Sequence, residues 1–200
     1  MSKMNYTRLI NCTTADEVQR AVREWSSDRS EQEHLIRSSI LDMHANVEIA
    51  LKQVLYQHML TILFQDGNEV EDRKRREVLE NTISDMHFST VHRILRSCLE
   101  AFPREELKFI GAVDSVRNQA THRSVDKVSY KGRNPFKDQD ALAELFVDCW
   151  AITKCLSDFY EKSIEDPQAL AKHYKEYYEK NYKPAAAANR RRNDAPAIDK

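Results

Sequence analysis

Ile36, Ile40, Met43, Val47, Leu51, Val54, His58 and Ile62 recur at steps of three and four residues, the period of one face of an α-helix. A stripe that long predicts a long helix ending near "QDGN", where Gly67 supplies the stop. Its apolar side must be hidden against other elements. Three glycines and five prolines in 200 residues are too few for the many tight turns of a sandwich or barrel. The fold expected is all-α, an antiparallel helical bundle.

Further helix signals surround the stripe. Thr14 and Glu17 have capping-box spacing and open a short amphipathic helix to about Trp25, and Ser30 with Glu33 repeats the signal before the long helix. The segment from Glu69 to Phe102 predicts two helices, or one bent helix, meeting near "DMHFST". Pro103 suits a first helical position, so "PREELKFIGAVDSVRNQATH" predicts another helix with Leu107, Ile110, Val113 and Val116 inward. "RSVDKVSYKGRNPF" reads as a loop. Asp138 then restarts a helix whose Leu142, Leu145, Phe146, Cys149, Ile152, Leu156 and Phe159 form a wide apolar face. Asp166 and Pro167 cap a C-terminal helix, and the remainder, with "NRRRND", shows no amphipathic pattern and is expected to be disordered. The organisation expected is an N-terminal helical extension over 1–29, a bundle over 30–162, a C-terminal helix over 163–183 and a disordered tail over 184–200.

A formal net charge of −1 argues against a scaffold that coats nucleic acid through bulk charge, but leaves room for a local basic site. Cys12, Cys98, Cys149 and Cys155 form no C-x-x-C pair and no signal-like N-terminus precedes them, so reduced thiols in a cytoplasmic protein are expected. The apolar run "MLTILF" falls far short of the roughly 20 residues a membrane span requires.

Most site classes fail on spacing. No G-x-S-x-G, phosphate-binding glycine loop or dinucleotide fingerprint is present. His44 and Glu48 share a helix face without a third matching metal ligand, so a surface or interhelix hydrogen-bonded pair is the reading and no metal or cofactor is assigned. His87 and His92 point about 140° apart unless the helix breaks between them. His58 sits on the apolar stripe as a core histidine. "EDRKRREV" alternates in sign and reads as a solvated face. "HYKEYYEKNYK" can stack bases or equally lay its tyrosines on the bundle.

One stretch stands out: "VDSVRNQATHRS", residues 113–124. In a continuous helix Asn118 and His122 share a face, with Asp114 one turn earlier. Asn118 is placed to orient the imidazole, and Asp114 to pair with Arg117. "RNQATH", late in a helical bundle, resembles the R-x4-6-H motif of the HEPN superfamily in its common R-N-x-x-x-H form, and "LDMHANVEIALKQVL" looks like the bundle helices of that group. The likeness covers about residues 30–162. Arg29 with His34, and Arg37 with His44, fit the bare spacing too, but lack the asparagine after the arginine and the cationic loop beyond the histidine.

The resemblance implies metal-independent endoribonuclease chemistry, as in toxin–antitoxin, abortive-infection and CRISPR systems, by homodimers whose two motifs face each other. His122 would move the proton of an attacking ribose 2′-OH, Arg117 would hold the phosphate and Asn118 would fix the His122 tautomer. Arg123, Lys127, Lys131 and Arg133 would hold the RNA backbone electrostatically. An antitoxin or regulatory protein is a further implied partner. Relatives neutralised by tyrosine modification carry that tyrosine two positions after the histidine; Ser124 stands there, so that control is not expected. The alternative is a non-catalytic HEPN-like module that binds a nucleotide, RNA or protein partner, and the resemblance is compatible with it, since HEPN relatives without activity exist.

Overall fold

The computed structural model describes residues 3–27, 33–63, 69–99 and 102–165. Among these it is an all-α antiparallel bundle of seven helices: α1 (Tyr6–Leu9), α2 (Ala15–Ser26), α3 (Glu33–Leu63), α4 (Glu69–Asp85), α5 (Phe88–Cys98), α6 (Ile110–His122) and α7 (Gln139–Glu165). Ser30, Arg29, Gly67, the C-terminal helix beyond Glu165 and the tail lie outside the described residues.

The stripe read from the sequence is the axis of the core. Ile36, Ile40, Met43, Val47, Leu51, Val54 and His58 are all buried along α3, joined by Ala50 and Leu55. They meet the buried face of α7, where Leu142, Leu145, Phe146, Cys149, Ile152 and Leu156 turn inward as expected. α4, α5 and α6 pack on other sides of α3, and α2 lies along α7.

α2 begins where the capping box places it, with Thr14 and Glu17 exchanging both bonds. Its docking comes from Val18, Val22 and Trp25, whose ring stacks on Phe146 at 6.4 Å. Burial of side chains this size contributes roughly 1.5–3 kcal/mol each. The exposed Arg23–Asp140 pair at 2.8 Å belongs to a class worth about 0–1 kcal/mol, so the apolar contacts hold α2 in place.

The expected break near "DMHFST" is present: α4 stops at Asp85 and α5 starts at Phe88. The expectation for the next helix needs correction. Residues 104–109 are turns, Pro103 before them is in no helix, and α6 opens at Ile110, whose N–H reaches the Leu107 carbonyl at 3.1 Å. Turns let two aromatics find separate partners, with Phe102 edge-on to Phe159 at 6.3 Å and Phe109 under the Lys131 ammonium at 3.7 Å.

The loop after α6 is bound closely to α7. Tyr130 and Arg133 exchange backbone bonds of 2.7 and 3.0 Å around Lys131 and Gly132, at φ 47° and 82°. Two positive φ values are the pattern of a type I′ turn, and Gly132 takes the left-handed conformation without strain. Tyr130 is buried and donates its hydroxyl to Asp148; burial first, and that carboxylate second, push its pKa far up. Asp138 caps α7 by accepting from the Asp140 and Ala141 N–H groups at 2.9 and 3.0 Å.

His58 is a core histidine as read, fully buried with its ring 5.4 Å from Phe159. Burial lowers its pKa from 6.5 to about 4. Between those values the unfolded chain binds more protons, so stability rises with pH there and is lost as pH falls from 6.5 toward 4. The whole shift is worth about 3 kcal/mol. Urea unfolding of His58→Leu should show a flatter dependence on pH between about 6.5 and 4.5 than wild type; equal slopes would refute this assignment.

Candidate functional site

The break between α4 and α5 opens a cleft of about 410 Å³ between that junction and the facing sides of α3 and α6. α3 contributes His44, Glu48 and Lys52; the junction contributes Ser84 to Ser89; α6 contributes Asp114, Arg117 and Asn118. The lining is charged and polar because the apolar faces of the three helices turn away into the core.

At its floor His44, only 3% exposed, meets Asp114 with Nε2 3.2 Å from Oδ1. Burial lowers the pKa of His44, and the hydrogen bond and charge of Asp114 oppose that without reversing it. The imidazole is therefore neutral at neutral pH and donates its Nε2–H to the carboxylate. Phe88 packs on the other side, ring centroids 4.5 Å apart. Nearby on α5, burial chiefly, and Arg96 next, lower the pKa of His92.

Arg117 is half-buried on the same wall. Its Nη1 donates to the Asn118 carboxamide oxygen at 2.8 Å. Among the described residues that amide is its hydrogen-bond partner and no carboxylate pairs with it. The other cation in the cleft is engaged: Lys52 bonds Glu48 and the Ser84 carbonyl, both at 2.8 Å. Arg117 is thus the cation of the cleft that makes no ion pair among the described residues, able to take an oxyanion through the rest of its donor fork.

The pairings differ from those read in the sequence. Asp114 holds His44 rather than Arg117, and Asn118 holds Arg117 rather than His122. His122 is the last residue of α6, exposed, and does not line the cleft. Its divergence from Arg117 follows from the helix, which stays continuous through both. Of the surface and interhelix alternatives for His44, the bond is interhelix, but its partner is Asp114; Glu48 pairs with Lys52 instead.

The loop cations divide. Lys131 pairs with Glu144 at 2.9 Å and Asp148 at 2.6 Å, and Arg133 with Glu144 and Asp138, so both charges are committed to α7 instead of standing free for an RNA backbone. Arg123 and Lys127 are exposed and make no ion pair among the described residues. Of the two other Arg–His spacings, Arg29 lies outside the described residues and His34 is exposed on α3; Arg37 stands 5.7 Å from the Phe136 ring while His44 faces the cleft.

Sequence reasoning weighed His87 only as a metal ligand with His92 and did not place it, or His44, in one cleft with Arg117. His44 and Asp114 are 70 residues apart, so no local spacing links them. The one available signal for His87 was the helix break itself. Among the described residues no group of three or more His, Cys, Asp or Glu is arranged to hold a metal, and no helix is long and apolar enough to cross a membrane. No protein-family model, curated protein or solved structure matches the chain.

Asp114→Ala leaves a buried imidazole N–H without its acceptor and should destabilise the fold by about 1–3 kcal/mol. With the carboxylate gone, burial acts unopposed by it, so the His44 titration midpoint should move further down. Proton NMR of the histidine ring signals checks this; an upward move would refute the balance described.

Proposed function

We propose that the protein is a metal-independent endoribonuclease of HEPN type, acting in a defence or stress role of the toxin–antitoxin or abortive-infection kind, with the RNQATH segment at its site. The observation that carries the reading is the state of Arg117: half-buried in an open cleft, held by a neutral amide and unpaired with any carboxylate among the described residues. A guanidinium so placed suits a phosphodiester, whose developing charge in 2′-OH attack it stabilises. His122, exposed at the end of the same helix, is accessible to substrate or to a second copy of the chain.

In this reading Arg117 holds the scissile phosphate, Asn118 keeps the guanidinium in line, and His122 transfers a proton. Two copies packed through the outer face of α6 would bring the His122 of each toward the other's cleft, and a homodimer follows. Arg123 and Lys127 are the loop cations left to meet the RNA backbone.

A second reading rests on one observation, that His122 lies outside the cleft holding Arg117. In that case the cleft is the recognition site of a non-catalytic module that takes a nucleotide, RNA or protein partner without cutting RNA.

Cleavage should persist in excess chelator and leave 2′,3′-cyclic phosphate ends, since 2′-OH attack needs no metal-bound nucleophile; loss in chelator with rescue by magnesium would overturn the mechanism. His122→Ala and Arg117→Ala should each slow cleavage by about 100-fold or more with little change in Tm, and Asn118→Ala should fall between them and wild type. His34→Ala should cut at the wild-type rate. Tight RNA binding without cleavage by wild type selects the binding-module reading. Light scattering at micromolar protein should give a dimer, and a monomer cutting at full rate would exclude the composite site.

A further inference from the structure

Two imidazoles outside the motif share the cleft with Arg117. They are in opposite states. His44 is buried and its Nε2 is committed to Asp114, so it braces α3 against the turn of α6 that carries Arg117. His87 is exposed and occupies the N-cap position of α5; its carbonyl accepts from the Thr90 and Val91 N–H groups at 2.9 and 3.1 Å, while its side chain makes no capping bond and no other hydrogen bond, ion pair or ring contact among the described residues. Backbone geometry accounts for its availability. His87 stands in the two-residue gap between Asp85 and Phe88 with extended dihedrals, φ −65° and ψ 143°, so it belongs to neither helix face and is held at the cleft by the ends of both.

We infer that His87 is a catalytic residue of this cleft, the proton-transfer partner of Arg117 on a bound RNA phosphodiester. The inference rests on the ribonuclease reading and adds to it. Cleavage by 2′-OH attack moves two protons. One leaves the 2′-oxygen as O2′ bonds to phosphorus, and one reaches the 5′-oxygen as the P–O5′ bond breaks. The products are a 2′,3′-cyclic phosphate and a 5′-hydroxyl, and the proton count is unchanged because one imidazole takes what the other gives.

The motif brings one imidazole, His122, and places it outside the cleft. His87 supplies the other from inside it. One of these imidazoles takes the 2′-hydroxyl proton and the other serves the departing 5′-oxygen. Arg117 holds the phosphate between them. His44 is a positioning residue, acting through Asp114.

The test uses the full chain and a fluorogenic RNA in excess chelator. His87→Ala should lower kcat by about 100-fold with KM changed less than about threefold, because a proton-transfer group and not a binding contact is removed. Tm should stay at the wild-type value, since the side chain is exposed. Added imidazole should restore part of the rate to His87→Ala and none to Arg117→Ala. Mixing His87→Ala with Arg117→Ala should recover no activity, since both residues serve one protomer's cleft and neither cleft in a mixed dimer is complete. Wild-type turnover by His87→Ala beside an inactive Arg117→Ala and His122→Ala overturns the inference and leaves the ribonuclease reading standing. Recovery in the mixture overturns the placement of both groups in one cleft. A wild-type protein that cuts no RNA takes down the ribonuclease reading and this inference together.

Discussion

Two long helices with apolar faces have to hide them, and in this chain they do so against each other. The burial of α3 on α7 fixes the axis of the bundle, and the remaining helices are placed by the sides of that pair still uncovered. α3 in particular has packing partners nearly all round, which is why a histidine at position 58 ends fully buried with its proton driven off and one at position 44 is buried but bonded across to α6. Polar groups on such a helix must find partners or a cleft, because an unpaired one inside would cost more than a typical packing contact returns.

The candidate site is a by-product of the same constraint. α4 and α5 both pack on α3 but cannot do so as one straight rod, and the two-residue break between them leaves a gap in the wall. Into that gap face the charged residues that the core excludes. The cleft is therefore polar for the reason that the core is dry, and the cation in it that makes no ion pair among the described residues sits on α6, the helix that closes its far side.

Periodicity made most of the architecture legible. The α3 stripe, the α7 face, the Thr14–Glu17 box and the break near His87 are all local signals, and each appears where the residues put it. The start of α6 was misread because Pro103 is a valid first helical residue; what displaces the helix start is where Phe102 and Phe109 find their partners, Phe159 and Lys131, far along the chain. The site was legible only as a segment. RNQATH points to Arg117, but the pairings around it are tertiary: His44 comes from another helix, and Asn118 chooses its neighbour on the same turn over His122 four residues on. The roles of Lys131 and Arg133 were hidden for the same reason, since the carboxylates that hold them lie on α7.

The Lys131 ammonium resting on the Phe109 ring has a topological consequence. Phe109 immediately precedes α6 and Lys131 follows it, so their contact closes the chain from 109 to 131 into a non-covalent ring. Gln119 adds a strut across it by accepting from the Ser129 N–H at 2.9 Å. A ring of this kind does not fray from an end, because neither end is free. Opening the ring requires the clasp or the strut to give way, so the ends of the segment bearing Arg117 and His122 are tied to each other as well as to the bundle.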